Sequence, residues 1–198
     1  MATTLRPPTT SAPAAHPSLL PGLAVAAVAV VIALAAAVVL PDITTAGHMT
    51  ATPTHYMSLL MANQPWNLLI FMAVPFVLIY GGLVPTELGL VPPSVGRLVT
   101  PVLAIYYSAA AVYLIRYAAW PLTTVGGWRG PADWIAVLGY IATAVPILGL
   151  TIATFTSASD RVCNWWFYAV LVLAHVAMTF GILAPFVLGW ADPGHPTH

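Results

Sequence analysis

Hydrophobic and polar positions alternate along this chain in long blocks, with five runs of mostly apolar residues separated by short segments that hold nearly all the charges. A helix of about 20 apolar residues is long enough to cross the hydrocarbon core of a bilayer. The pattern therefore predicts an all-α fold, a polytopic membrane bundle of five transmembrane helices. Their predicted bounds are Leu19 to Leu40, Pro65 to Leu83, Leu98 to Trp120, Trp134 to Phe155, and Trp165 to Trp190.

The first span differs from the others because it is almost entirely Ala, Val and Leu. It has no aromatic or polar residue to specify packing, so residues 19–40 are predicted to form a peripheral anchor beside a four-helix core of residues 65–190. Residues 1–18 are rich in Thr, Pro, Ala and Ser and are predicted to be a disordered tail. A cleaved signal peptide is the alternative, but its apolar region would be only about 7 to 15 residues long.

The segments between and after the spans are predicted from their local signals. Residues 41–64 form an outer loop with a short interfacial helix that begins near Thr54 and is too short to cross the bilayer. Asn63 and Pro65 are typical of a helix start, while Gly81, Gly82 and Pro85 are typical of a helix end. Residues 191–198 are predicted to be a C-terminal tail.

Composition removes several classes of protein. Only 5% of the residues are charged and the net charge is zero, whereas soluble domains carry about 25% charged residues. A water-soluble fold and a nucleic-acid partner are therefore excluded, and the bilayer is the expected partner. A single cysteine, Cys163, can form neither an internal disulfide nor a multi-thiolate metal site.

Arginine bias in the short loops predicts the orientation. Arg6, Arg97 and Arg161 fall on one side of the predicted membrane, and Arg116 and Arg129 on the other. Basic residues are enriched on the cytoplasmic side. We therefore expect a multi-pass protein of the cell membrane with its N-terminus in the cytoplasm and its C-terminus outside.

A set of short motifs resembles an uncharacterised family of small bacterial multi-pass integral membrane proteins, over roughly residues 54–190. The resemblance implies a helical membrane protein and no established activity. The N-terminal tail and the first helix would be additional segments that precede the part resembling that family. The motifs, in chain order, are THYM at 54–57, NQPWNL at 63–68, TEL at 86–88, WRGPAD at 128–133 and AHVAM at 174–178.

His175 lies inside the fifth span, where a side chain that can titrate indicates function because lipid does not solvate it. Met178 follows one helical turn later, so the imidazole and the thioether can share a face and contribute to a haem or copper site. The alternative is a neutral histidine that is hydrogen-bonded to a carbonyl or to a tyrosine on a neighbouring helix, with Met178 as apolar packing.

The first outer loop carries further candidate ligands. His48 and His55 lie there among methionines, a combination that can bind copper(I) but also occurs without metal. Asn63, Gln64 and Asn67 could hydrogen-bond a quinone carbonyl, although capping of the second span is the stronger interpretation. The motifs HExxH and CxxC do not occur in the sequence.

Charged residues near the outer ends of the spans complete the candidate site. Arg116 can snorkel to headgroups or pair with Asp133, for which Arg129 competes. Unpaired polar groups in the bilayer cost about 2.5 to 3.5 kcal/mol each, so they are expected to be buried together. We predict that one cluster forms in the outer half of the bundle, from His55, Asn63, Gln64, Arg116, Arg129, Asp133 and His175.

Two classes of function remain open. The favoured one is a non-enzymatic membrane protein, either a small permease or a supporting subunit of a membrane complex, which can also form a homo-oligomer. The alternative is a redox membrane subunit that binds haem, copper or quinone through His175, Met178 and the outer His and Met residues.

Overall fold

The computed structural model describes residues 19–39, 69–128, 130–156 and 158–182. In this part of the chain there are five helical segments and no strand, which confirms the predicted all-α class. We number them α1 (Leu20–Val39), α2 (69–87), α3 (93–125), α4 (131–155) and α5 (Asp160–Ile182). The last four are long and apolar enough to cross a membrane. The predicted tails and the whole outer loop of residues 41–64 lie outside the described residues.

α2 alternates between π-helical and α-helical turns. The π turns are Leu69–Ala73 and Ile79–Leu83, and each is followed by a short α segment that has a proline in its first turn. The predicted end at Leu83 is four residues early, because the helix continues through Pro85 to Glu87. Proline is accepted within a membrane helix where a local π turn or a neighbouring helix satisfies the carbonyl that its missing N–H leaves open.

α3 and α4 form the centre of the bundle. In their apolar windows 56% and 50% of the residues are buried, against 28% in α2 and 17% in α5. α3 begins at Pro93, five residues before the predicted start, and ends before Gly126, which adopts the left-handed conformation (φ 67°). α4 follows Gly130 (φ 91°). α2 and α5 therefore flank the centre and leave most of their side chains facing outward.

α1 packs against α3 and α4 through its small residues. Ala26, Ala29 and Ala33 are buried, and a Cβ atom added to Gly22 would lie 2.4 Å from the carbonyl oxygen of Ile152. Small residues allow membrane helices to approach closely without polar contacts. The packing of α1 is thus specified by its small residues. The prediction of a peripheral anchor considered only aromatic and polar residues and did not take these small residues into account. That the remaining helices fold without α1 stays a prediction.

Candidate functional site

A groove opens between α2 and α5, and we call it the α2–α5 groove. Its cavity has a volume of about 50 Å³ and opens to the surroundings. Apart from one histidine, its wall is built from apolar, aromatic and small side chains, and α3 and α4 form its floor. The lining residues are Phe71, Met72, Pro75, Phe76, Ile79, Tyr80, Tyr107, Tyr140, Ala174, His175, Ala177, Met178 and Gly181.

The polar centre of the groove is a hydrogen-bonded pair formed by His175 of α5 and Tyr80 of α2. The Nδ1 atom of His175 lies 2.6 Å from the carbonyl oxygen of Leu171, and the Nε2 atom is hydrogen-bonded to the Tyr80 hydroxyl. A carbonyl can only accept, so Nδ1 carries the proton and donates it. In the neutral ring Nε2 is then an acceptor, and the Tyr80 hydroxyl donates to it.

Ring packing fixes the position of this pair. The Tyr80 ring meets the His175 ring edge to face, with centroids 5.8 Å apart and planes at 88°, and it lies 4.8 Å from the Phe76 ring. His175 is half-buried, whereas Tyr80, Phe76 and Met178 are exposed. The pair is therefore accessible from the surface of the described part of the bundle.

Two tyrosines support α2 where Pro75 interrupts its hydrogen bonding. In an α-helix the N–H of residue 75 would bond the carbonyl of Phe71, and in a π-helix that of Ile70, but proline has no N–H. The Tyr140 hydroxyl donates to the Phe71 carbonyl at 3.2 Å, and the Tyr106 hydroxyl donates to the Ile70 carbonyl at 2.7 Å. The two hydroxyls also contact each other. The floor of the groove therefore supplies a donor in place of the one N–H that Pro75 lacks, and a second donor for the neighbouring carbonyl.

Of the residues predicted to form one outer cluster, the structure describes Arg116, Asp133 and His175. His175 lines the groove and Met178 lies beside it on the same face, as their spacing predicts. Arg116 is exposed on the π turn of α3, with its guanidinium carbon 4.9 Å from the centre of the Tyr117 ring. Asp133 is fully buried in the first turn of α4. Neither Arg116 nor Asp133 lines the groove, and His48, His55, Asn63, Gln64, Asn67 and Arg129 lie outside the described residues.

The geometry at His175 bears on the two interpretations of this residue. Both ring nitrogens have hydrogen-bond partners, one a carbonyl and the other a tyrosine on a neighbouring helix, which is the alternative that the sequence leaves open. A haem or copper ion would need Nε2, so Tyr80 would have to move away first. Within the described part of the chain no three His, Cys, Asp or Glu side chains converge on a metal-sized site.

Sequence reasoning missed the aromatic residues of the site. Tyr80, Tyr107 and Tyr140 come from three different helices, and nothing in their spacing along the chain indicates that they meet. Pro75 was the available signal, because a proline within a membrane span frees a carbonyl that a neighbouring helix has to satisfy.

The fold and the groove together define a class, that of small helical proteins whose long apolar helices can cross a membrane several times. Comparison with known families makes the assignment more specific. Residues 48–197 match the model of a family of unknown function, DUF6803, and because the match covers most of the chain, the protein belongs to this family. The resemblance to an uncharacterised family is confirmed to that extent, and α1 lies outside the matched region. No curated protein and no solved structure matches the chain.

Proposed function

We propose that this protein is a non-enzymatic membrane component that holds a lipid-soluble small molecule in the α2–α5 groove. The observation that carries the proposal is the composition of the groove wall, in which the hydrogen-bonded Tyr80–His175 pair lies among apolar, aromatic and small side chains. Sites for small molecules are typically concave and mostly apolar, with a few placed polar groups.

The position of the groove supports entry from the bilayer. Its walls are α2 and α5. Of the four long apolar helices, these two bury the smallest share of their residues. Exposed rings of Phe76 and Tyr80 flank it on one side and Met178 on the other. A molecule moving within the bilayer would meet these side chains first, and it would bury its own apolar surface without crossing a polar loop.

Between the two non-enzymatic roles, we favour a supporting subunit over a permease, because α2 and α5 bury only 28% and 17% of the residues in their apolar windows. Helices this exposed leave surface on which a partner membrane protein or a second copy of the chain can pack away from the groove. The arginine pattern supports a cytoplasmic N-terminus and an external C-terminus.

The proposal is tested by what the protein retains on purification. The full chain is purified in mild detergent, and an organic extract is analysed by mass spectrometry against the extracts of two variants. Ala174→Phe places a ring in the groove, whereas Val172→Phe places the same ring on the exposed side of the same helix. We expect one small molecule at near-equal molar ratio in the wild type and in Val172→Phe, and its loss from Ala174→Phe. Identical extracts from all three would contradict the proposal.

The redox alternative is favoured by one observation, the shared position of His175 and Met178 on the groove. An imidazole nitrogen and a thioether sulfur are a known ligand pair for haem iron. The absorption spectrum of the purified protein separates the two functions. A Soret band that disappears in His175→Ala would support the redox subunit, and a spectrum without such a band would support the proposed function.

A further inference from the structure

The hydrogen-bonding roles at the polar centre of the groove restrict the chemistry of what can bind there. The Leu171 carbonyl fixes the proton of His175 on Nδ1, so Nε2 offers a lone pair and no proton. Tyr80 offers the opposite, a hydroxyl proton that the structure directs at Nε2. A ligand that separates the two side chains therefore meets one acceptor and one donor, close together.

A hydroxyl group satisfies both atoms at once. Its proton is donated to Nε2 of His175 while its oxygen accepts the proton of Tyr80, so one hydrogen bond is given up and two are formed. A carbonyl or an ether oxygen can only accept from Tyr80 and leaves Nε2 without a partner, which is costly away from water. A carboxylate would bring a charge into a wall that contains no arginine or lysine.

The rest of the wall favours a flat ring over a flexible chain beside that hydroxyl. The rings of Phe71, Phe76, Tyr107 and Tyr140 all line the groove, and Phe71 and Tyr140 already pack edge to face with centroids 5.8 Å apart. Aromatic rings prefer such edge-to-face or offset neighbours. Building on the proposed function, we infer that the ligand of the α2–α5 groove is a neutral, lipid-soluble phenol whose hydroxyl inserts between Tyr80 and His175.

The two side chains of the pair contribute differently to the preference for a phenol over its methyl ether. When His175 is removed, the Tyr80 hydroxyl donates equally well to a phenol and to its methyl ether, so the preference for the phenol disappears. When Tyr80 is removed, Nε2 of His175 still accepts a hydrogen bond from the hydroxyl of the phenol. The ether has no hydroxyl to donate, so the preference for the phenol persists. Selectivity for the hydroxyl therefore follows His175.

The test uses the full-length protein in phosphatidylcholine vesicles and two photoreactive probes, a para-alkylphenol that carries a diazirine on its chain and the corresponding methyl ether. Labelling of α2 and α5 is quantified by peptide mass spectrometry, and half-saturation is expressed per mole of lipid so that partitioning does not bias the comparison. The variants are His175→Leu, Tyr80→Phe and Ala174→Phe. Tyr168→Phe is the matched control, because this tyrosine is exposed on α5 and does not line the groove.

We expect the ether to require a roughly three- to tenfold higher mole fraction than the phenol in the wild type, the worth of one hydrogen bond. The ratio should be unchanged in Tyr80→Phe and Tyr168→Phe and fall to about one in His175→Leu. Equal half-saturation by both probes in the wild type, or a preference that survives in His175→Leu, would overturn the phenol assignment while leaving groove binding intact. Labelling that is insensitive to Ala174→Phe would overturn the proposed function as well.

Discussion

Tyr140→Phe removes a hydroxyl that we interpret as replacing the hydrogen-bond donor missing from Pro75. The variant deletes the bond of 3.2 Å to the Phe71 carbonyl and the contact with the Tyr106 hydroxyl, and it leaves the ring in place. A typical hydrogen bond contributes about 1 kcal/mol net, and a buried group left without a partner costs about 1–3 kcal/mol. Measured side-chain hydrogen bonds within membranes lie at the low end, averaging about 0.6 kcal/mol. We therefore expect the free energy of unfolding to fall by about 1–2 kcal/mol.

The mechanism is isolated by a double-mutant cycle with Pro75→Ala. Alanine restores the N–H of residue 75, so the helix itself satisfies one of the two carbonyls and Tyr140 becomes less important. We expect Tyr140→Phe to cost about 1 kcal/mol less in the Pro75→Ala background than in the wild type, a coupling expected only for residues that share a partner.

The assay is reversible unfolding in mixed micelles at increasing mole fraction of denaturing detergent, followed by tryptophan fluorescence and far-ultraviolet circular dichroism. Tyr168→Phe is the control, since its exposed hydroxyl should be worth less than about 0.5 kcal/mol. The reasoning is refuted if Tyr140→Phe costs no more than Tyr168→Phe, or if the effects of Tyr140→Phe and Pro75→Ala are additive.

Two further predictions concern close packing of the helices. A Cβ atom on Gly149 would lie 2.6 Å from ring atoms of Trp166, so Gly149→Ala should lower the free energy of unfolding by about 1–2 kcal/mol. A Cβ atom on Gly81 would meet nothing nearer than 3.9 Å, so Gly81→Ala should raise the free energy of unfolding by about 0.5–1 kcal/mol. The same sign for both changes would contradict this packing. Gly22→Leu should detach α1 and lower the free energy of unfolding as much as starting the chain at Thr52 does. In both variants the four-helix part should still insert and fold. If the shortened chain failed to insert, α1 would be part of the core.

The sequence was sufficient for the helices because each span is long and apolar by itself. The ends of the helices were harder to place. Residues such as Gly81, Gly82 and Pro85 are typical of a helix end in water, but α2 continues through them with a π turn. The Thr86 hydroxyl also donates to the Gly82 carbonyl at 2.8 Å. Membrane helices tolerate glycine and proline where local π turns and threonine hydroxyls satisfy the backbone.

The candidate site was predicted only in part. His175 was identified because a titratable group in lipid is costly wherever it stands, and Met178 because its position one turn later follows from helical geometry. Tyr80 could not be paired with His175, since that contact depends on how α2 lies against α5 and the residues are 95 positions apart.

The central claim is that the α2–α5 groove is a binding site for a lipid-soluble molecule, and an experimental structure of the wild-type protein determined in lipid tests it most directly. The account predicts a ligand, bound within hydrogen-bonding distance of Nε2 of His175 or of the Tyr80 hydroxyl and packed against the Phe71 and Tyr140 rings. A groove closed by contact between α2 and α5, or filled by the chain's own residues from 183 onward, would contradict it.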